Sequence, residues 1–285
     1  MSFRDWVTRV LIISLMFTAL SVALLAGKIN QSQITTITPS NQEISTNWSE
    51  YPQAQLQSSK NQDKQSSDKT QQTAGRYRTT QAFARYQPRY EIAAIDPSNY
   101  GDRYTKDING VPINNQPIIV LHETGYSATS AINFFQTPHT DESVQASYHT
   151  LIKLDGTVVY LVPPEKRAFG AANSVFESVN GAETVQTNRG LPPSVNNFAY
   201  HVSLETPPDG RGDNYIKAHS GYTQEQYHSL AWLIAQSQIP EYRITTHQEV
   251  DRSNQRIDPV SFDFEKFLNL LNTYRQINPV YRAQG

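Results

Sequence analysis

The chain has 285 residues, of which 38% are hydrophobic and 18% are charged, with 24 Lys and Arg against 26 Asp and Glu. This near-neutral balance gives no basis for binding nucleic acid, which requires clustered positive charge, so we expect no nucleic-acid partner. The absence of cysteine excludes disulfides, thiolate nucleophiles and Cys-ligated zinc. Any bound metal must therefore be held by His, Asp or Glu.

Residues 1–28 have the pattern of a membrane-targeting segment. Arg4 and Arg9 precede an uncharged, apolar run over residues 10–27. The length of this run lies between that of a signal-peptide core and that of a short spanning helix. Because a positive flank stays in the cytoplasm, the rest of the chain is expected on the other side of the membrane. We predict a signal peptide or N-terminal membrane anchor, and export to the periplasm or cell envelope.

The next segment is too polar to fold by itself. Of the 52 residues from 29 to 80, 30 are Gln, Ser, Thr or Asn and only six are Ile, Leu or Trp. Such a composition buries too little apolar surface to offset the entropy of ordering the chain. We predict a disordered tether over residues 29–88, an arm over 89–116 that packs on the domain, a folded domain over 117–276 and a tail over 277–285.

Strand and helix patterns alternate within the predicted domain. The predicted strands are 117–121, 148–154, 157–162 and 198–205, and the predicted helices are 129–136, 223–238 and 261–274. Asp155-Gly156 is the pair that favours a two-residue primed turn, so strands 148–154 and 157–162 are predicted to form a hairpin. Thr223 and Gln226 form a capping box that starts the second helix. We therefore expect an α/β fold, a mixed central β-sheet with helices on its faces.

Two of the seven histidines lie at strand ends, where α/β proteins place functional groups. His122 directly follows the strand 117–121, and His247 follows the apolar–polar stretch 242–246. Asp258 comes eleven residues after His247. Two imidazoles and one carboxylate are a frequent ligand set for catalytic zinc, although any chain of this length contains such trios. Histidines in loops or on polar helix faces are expected to be solvated or structural: His139, His219 and His228.

The order of four separated motifs makes this trio more specific. The motifs are residues 119–125 around His122, 147–156 with the pair Tyr148-His149, 197–205 with Ser203 and Glu205, and 246–259 with His247 and Asp258. In this order they resemble the zinc-dependent N-acetylmuramoyl-L-alanine amidases of the amidase type 2 family, which includes AmpD-like amidases and peptidoglycan recognition proteins. The resemblance covers residues 117–272. It implies a single domain of that fold in which His122, His247 and Asp258 bind Zn²⁺.

The resemblance also implies catalytic roles for Tyr148 and Arg256. Tyr148 matches the tyrosine of the family's Tyr-His pair, which lies near zinc, and its phenol would orient water or substrate. Its neighbour His149 points to the opposite side of the strand and is expected to be structural. Arg256 takes the place, two residues before the Asp ligand, where family members usually carry Lys. An arginine can stabilise an oxyanion but cannot pass on a proton, and the alternative role is a salt bridge to Asp251 or Glu249.

The general base is left open by the sequence. Many AmpD-like members place a catalytic Glu at the position that Ser203 fills here. Glu205 lies two residues further on the same face of the strand, about 6 to 7 Å away, and would replace that Glu through one water. Because some members of the family lack the Glu altogether, Tyr148 is the other candidate.

The resemblance implies hydrolysis of the amide bond between N-acetylmuramic acid and L-alanine of peptidoglycan, in cell-wall remodelling or turnover. An exported protein on a tether agrees with this substrate, which lies outside the cytoplasm. The departures at Ser203 and Arg256 leave an alternative, a non-catalytic or weakly catalytic module that binds peptidoglycan. We expect the protein to be a monomer that contacts the membrane through its N-terminal segment.

Overall fold

The computed structural model describes residues 35–36, 75–212 and 216–282 of the chain. The predicted leader, residues 1–28, and most of the predicted tether lie outside these residues. Within the described ranges, no helix combines the length and the apolar character that a membrane crossing requires.

Strands and short helices alternate along the described chain. The strands are β1 (Thr35–Thr36), β2 (Tyr77–Thr79), β3 (Tyr90–Ile92), β4 (Tyr100–Asp102), β5 (Ile118–Glu123), β6 (Thr150–Ile152), β7 (Val158–Tyr160), β8 (Lys166–Ala168), β9 (Phe176–Ser178), β10 (Gly181–Glu183), β11 (Ala199–Leu204), β12 (Ile244–Thr246) and β13 (Arg275–Ile277). The α-helices are α1 (Gln81–Arg85), α2 (Ala128–Gln136), α3 (Gln224–Ala235), α4 (His247–Val250), α5 (Phe264–Tyr274) and α6 (Pro279–Arg282). Each strand and helix predicted from the sequence has a counterpart in these ranges.

The main sheet has the strand order β1-β3-β7-β6-β11-β5-β12. Strand β11 pairs in parallel with β6 on one side and with β5 on the other, and β12 pairs in parallel with β5. Strands β6 and β7 are antiparallel, so the sheet is mixed and the predicted fold class is confirmed. Because parallel strands run in one direction, the carboxyl ends of β5, β11 and β12 meet at the same edge of the sheet.

The central strands are buried on both faces. One face of the sheet, with Leu121 and Val202, packs against helices α3 and α5, and Leu230 of α3 is fully buried in this cluster. The other face packs partly against α2, where Leu151 and Ile132 are buried together. Strands that are covered on both faces are expected to have nearly continuous apolar sequences, and residues 118–121 of β5 have this pattern.

The predicted hairpin forms, but with a different turn. The amide of Lys153 donates to the carbonyl oxygen of Thr157 at 2.9 Å, so the loop between them has three residues. Within it Gly156 has a φ of 79°, whereas Asp155 has no positive φ, and a primed turn of the Asp-Gly type needs both. The Asp155 carboxylate instead accepts a hydrogen bond from the Thr157 amide at 2.9 Å. The primed turn predicted for this pair is therefore wrong.

Helices α3 and α5 differ from their predicted bounds at one end each. The predicted capping box of Thr223 and Gln226 is present, but α3 ends at Ala235, three residues before the predicted end. Helix α5 begins at Phe264 because Asp263 caps it through the Lys266 amide, at 2.9 Å. Ser261, the predicted start, has a φ of 54° and cannot belong to a right-handed helix.

Residues 77–85 belong to the folded domain, although composition places them in the tether that ends at residue 88. Strand β2 pairs antiparallel with β13, which joins the beginning of the described domain to its end. Helix α1 inserts Phe83, 4% exposed, into the core, where its ring stacks on Trp232 with centroids 5.4 Å apart. Composition did not reveal this because one aromatic side chain has little weight in a count over many residues. The predicted end of the tether, residue 88, therefore lies too late in the chain.

Replacing Leu230 with alanine tests the main core. The side chain is fully buried, so its loss leaves a cavity beneath α3. We expect Leu230→Ala to lower the free energy of unfolding by about 2 to 5 kcal/mol, measured by urea denaturation followed by circular dichroism. Val179→Ala is the matched control, because Val179 is 93% exposed, and it should change stability by less than about 0.5 kcal/mol. Equal stabilities for the two variants would contradict the assignment of this core.

Candidate metal centre

Three predicted ligands come together at the carboxyl edge of the parallel strands. His122 is the fifth residue of β5, and His247 is the first residue of α4, directly after the neighbouring strand β12. Asp258 lies in the connection between α4 and α5. One candidate ligand atom from each of the three residues lies within 4.8 Å of the others. The fold thus brings together ligands of which the first and the last, His122 and Asp258, are 136 positions apart in sequence (258 − 122).

The donor atoms of the cluster converge on one point. Asp258 Oδ1 is 3.0 Å from His247 Nδ1, and Asp258 Oδ2 is 3.4 Å from His122 Nδ1. The His122 ring is fully buried, and its Nδ1 makes no hydrogen bond of normal geometry. A buried polar atom without a partner is rare in native structures, and a cation between these groups would satisfy it. Two imidazole nitrogens and one carboxylate form a donor set that fits a divalent transition metal.

Local hydrogen bonds fix the segment that carries His247 and Asp258. Thr246 caps α4 through the Glu249 amide at 3.2 Å, and the Glu249 carboxylate accepts from the Thr246 amide at 3.3 Å. This capping box makes His247 the first helical residue. The carbonyl oxygen of Asp258 accepts from the Gln248 amide at 3.0 Å, which docks the Asp258 loop on the same helix.

The protonation states favour metal binding. Burial lowers the pKa of His122 to about 4, so its imidazole is neutral at neutral pH. Burial alone would raise the pKa of Asp258, but His247 and His122 beside the carboxylate hold it well below its usual range. A metal requires deprotonated ligands, and His122 and Asp258 meet that requirement near pH 7.

Tyr148 lies beside the cluster, as predicted. Its ring centroid is 4.8 Å from that of His122, and its ring meets that of Phe135 edge-on with centroids 5.4 Å apart. Burial, and then the negative charge of Asp258, raise the pKa of the Tyr148 phenol above its ordinary value. The phenol therefore keeps its proton at neutral pH, which makes it a hydrogen-bond donor and argues against Tyr148 as the general base.

Arg256 is exposed and makes no ion pair with any described residue. The alternative partners are already engaged, since Asp251 accepts the backbone amides of Ser253 and Gln255, each at 3.0 Å. Glu249 bonds to Thr246 and to a threonine hydroxyl of β12. Burial is the main cause of the lowered pKa of His122, and the positive charge of Arg256 adds to it.

The hydrogen bonds of Glu205 give its carboxylate a structural role. Its carboxylate accepts hydrogen bonds from the Ala128 amide and the Leu154 amide, each at 3.0 Å, and from the Arg211 guanidinium at 2.9 Å. These contacts hold the start of α2 and the β6–β7 turn against the end of β11. They argue against the base role predicted for Glu205, because a base needs a lone pair that faces the substrate.

Two groups beside the ligands escaped the sequence analysis. Glu123 is the last residue of β5, and its carboxylate accepts hydrogen bonds from His219 Nε2 at 3.0 Å and from the Tyr222 hydroxyl at 2.8 Å. The side chain of His219, expected from the sequence to be either solvated or structural, is therefore buried and structural. A carboxylate at the end of an apolar strand is a signal for such a pair, since a buried charge needs partners.

His201 of β11 places its Nδ1 2.9 Å from His122 Nε2. The alternation of side chains along β11 predicts the face of the sheet on which His201 lies. Its contact with His122 depends on the pairing of β11 with β5, which only the tertiary fold determines.

The structural prediction for His149 is confirmed. Its ring is fully buried, its Nδ1 accepts the His201 amide at 2.9 Å, and its Nε2 lies 3.1 Å from the carbonyl oxygen of Lys166. Burial lowers the pKa of His149 to about 3, so the ring is a neutral part of the core.

A mixed sheet with a His–His–Asp cluster at the ends of its parallel strands defines an α/β protein with a candidate metal centre. The sequence profile of the N-acetylmuramoyl-L-alanine amidases matches residues 114–261, and the chain belongs to this family. A search of curated proteins finds no match.

Solved structures of similar proteins include amidases and a recognition protein. A selenomethionine derivative of AmpD is 23% identical, with 63% of this chain and 94% of that chain covered and a TM-score of 0.43. AmiD from E. coli, in complex with anhydro-N-acetylmuramic acid-L-Ala-D-gamma-Glu-L-Lys, is 16% identical over 60% of this chain and 65% of that chain, with a TM-score of 0.41. The Drosophila peptidoglycan recognition protein SD is 14% identical over 56% of this chain and 87% of that chain, with a TM-score of 0.31.

Glu205→Gln separates a structural role from a catalytic one. Glutamine keeps one oxygen but turns an amide N–H toward a backbone donor, so we expect the free energy of unfolding to fall by about 1 to 3 kcal/mol. We expect amidase turnover per folded molecule to stay within about threefold of the wild type, since a general base contributes about 100-fold or more. Turnover at constant temperature and urea denaturation measure the two effects. A large loss of turnover with unchanged stability would restore Glu205 as the base.

Proposed function

We propose that this protein is a zinc-dependent amidase that hydrolyses the bond between N-acetylmuramic acid and L-alanine of peptidoglycan. The observation that carries the proposal is the cluster of two buried histidines, His122 and His247, with the partly buried Asp258, at the carboxyl edge of the sheet, in a member of the N-acetylmuramoyl-L-alanine amidase family. The family supports the substrate, and the donor set supports metal-assisted hydrolysis.

Zinc is the metal that these residues suit best. The chain offers two imidazoles and one carboxylate and no thiolate, which is the ligand pattern of catalytic zinc sites with one open position. When bound, zinc supplies a Lewis acid that polarises the amide carbonyl of the substrate. His122, His247 and Asp258 would hold it, and the burial of His122 excludes water from one side of the centre.

Arg256 and Tyr148 are proposed to act on the substrate. The guanidinium of Arg256 is permanently charged, exposed and unpaired within the described residues, so it is available to stabilise the negative charge that develops on the carbonyl oxygen. The phenol of Tyr148 keeps its proton and lies against His122, so it can donate a hydrogen bond that orients the reacting groups. These are roles in binding charge and in positioning, and neither requires a proton to leave the side chain.

A second candidate is a module that binds peptidoglycan with little turnover. It is favoured by Ser203, whose buried hydroxyl has no hydrogen-bond partner of normal geometry at the position where many AmpD-like enzymes carry a catalytic Glu. The complete and assembled ligand trio favours the amidase, because a binding module has no need of a polarising metal.

We also propose that the protein works outside the cytoplasm, on the membrane-facing side of the cell wall. The support is the apolar N-terminal run over residues 10–27 and the polar segment that follows it. Peptidoglycan, the proposed substrate, also lies outside the cytoplasm.

The proposal is tested with the full-length protein and purified peptidoglycan. Released products with a free N-terminal L-alanine, identified by mass spectrometry, should disappear with a zinc chelator and return on addition of Zn²⁺. His247→Ala should lower kcat/KM by about 10³-fold or more, because the polarising effect of the metal is worth several kcal/mol.

The matched control is His228→Ala. His228 bonds to the hydroxyl of Tyr274, at 2.7 Å, and belongs to no part of the ligand cluster. This variant should retain turnover, and circular dichroism should show that both variants are folded. Binding of peptidoglycan without any released peptide would contradict the amidase and support the binding module.

A further inference from the structure

We propose that His201 is a positioning residue of the metal centre: its buried imidazole accepts a hydrogen bond from His122 and thereby directs Nδ1 of His122 at the metal. The inference rests on the proposed metal site and adds to it a residue that is not a ligand. Its basis is the contact between His201 Nδ1 and His122 Nε2, which are 2.9 Å apart in a fully buried environment.

The arrangement of the two rings assigns the proton of His122. A neutral imidazole has one N–H donor and one acceptor nitrogen. The Nδ1 of His122 lies 3.4 Å from Asp258 Oδ2 and must keep its lone pair to bind a metal there. The proton then belongs on Nε2, and the atom that faces Nε2 is His201 Nδ1. His201 therefore acts as the acceptor, and this hydrogen bond fixes both the tautomer and the ring orientation of His122.

His201 is itself held rigidly. Its backbone amide donates to His149 Nδ1 at 2.9 Å, and its ring is stacked with the His149 ring at an interplanar angle of 10°. In the parallel pairing of β11 with β5, the Cα partner of His201 is Val120, two residues before His122 on the same face of the sheet. A positioning group has to be this well supported, because a ligand ring is oriented only as firmly as its partner.

Gly170 provides the space that the His201 ring occupies. A Cβ atom added at Gly170 would lie 2.5 Å from His201 Nδ1 and 2.6 Å from its Cγ, which is far inside contact distance. The ring cannot yield easily, since it is stacked on His149 and surrounded by the sheet. Gly170→Ala is therefore expected to displace the imidazole from His122 without removing it.

The remaining nitrogen of His201 argues against a purely structural role. In the assigned tautomer Nε2 carries the proton, and this atom is buried without a hydrogen-bond partner among the described residues. An unsatisfied buried donor lowers stability, and an apolar side chain of similar volume would avoid that loss. The imidazole is thus poorly suited to the core and well suited to one task, accepting the proton of His122.

The experiment measures zinc affinity of the metal-stripped, full-length protein by competition with a chromophoric chelator. His201→Leu removes the acceptor, and we expect it to weaken zinc binding by about 10- to 100-fold. His201→Asn places an amide oxygen near the position of Nδ1, and we expect it to restore affinity to within about threefold of the wild type. His228→Asn, at a remote histidine, is the control and should leave zinc affinity unchanged.

Nitrogen NMR of His122 gives a readout that is independent of activity. In the zinc-loaded wild type we expect the Nε2–H resonance of His122 at the low field of a hydrogen-bonded proton, and in His201→Leu we expect this resonance to move upfield. Wild-type zinc affinity in His201→Leu, or an unchanged Nε2–H resonance of His122, would overturn the positioning role. If His201→Leu fails to fold, Gly170→Ala decides in its place: weakened zinc binding supports the role, and unchanged binding overturns it. A wild type that binds no zinc, or a His247→Ala variant that binds it normally, would instead overturn the metal site itself.

Discussion

The parallel pairing of β5 with both β11 and β12 is the constraint on which the candidate site depends. It brings the end of β5, with His122, next to the end of β12, after which His247 begins α4. On the other side of β5 it aligns Ser203 with His122 and His201 with Val120. A shift of one residue in either pairing would turn His122 or its partner to the opposite face of the sheet, so the register determines the metal centre as well as the core.

This arrangement places a row of polar rings inside an apolar sheet. His149, His201 and His122 are all fully buried and in contact through hydrogen bonds or stacked rings. Burial lowers the pKa of each of them, so all three imidazoles are uncharged in the core at neutral pH. Each neutral ring then needs one donor and one acceptor partner, and within the row His122 and His201 are such partners for each other. Two ring nitrogens of the row have no hydrogen-bond partner of normal geometry among the described residues, His201 Nε2 and His122 Nδ1, and the second of these faces Asp258.

The sequence predicts those parts of the fold that short segments determine. The strand 118–121 is recognisable from its β-branched run, and the start of α3 from the capping box at Thr223. The ligand trio follows from the order of the family motifs. The docking of Phe83 on Trp232 and the contact of His201 with His122 could not be predicted, because both join segments that are distant in sequence. The role predicted for Glu205 illustrates the same limit, because the loops that donate hydrogen bonds to its carboxylate come together only in the folded chain.

The central claim is that the ends of these strands form a zinc centre, and diffraction at the zinc absorption edge tests it most directly. Crystals of the zinc-loaded protein should show one anomalous peak within coordination distance of His122 Nδ1, His247 and Asp258, the residues that the structure brings together. A peak at another set of residues, or zinc bound through His122 Nε2 with His201 displaced, would contradict it.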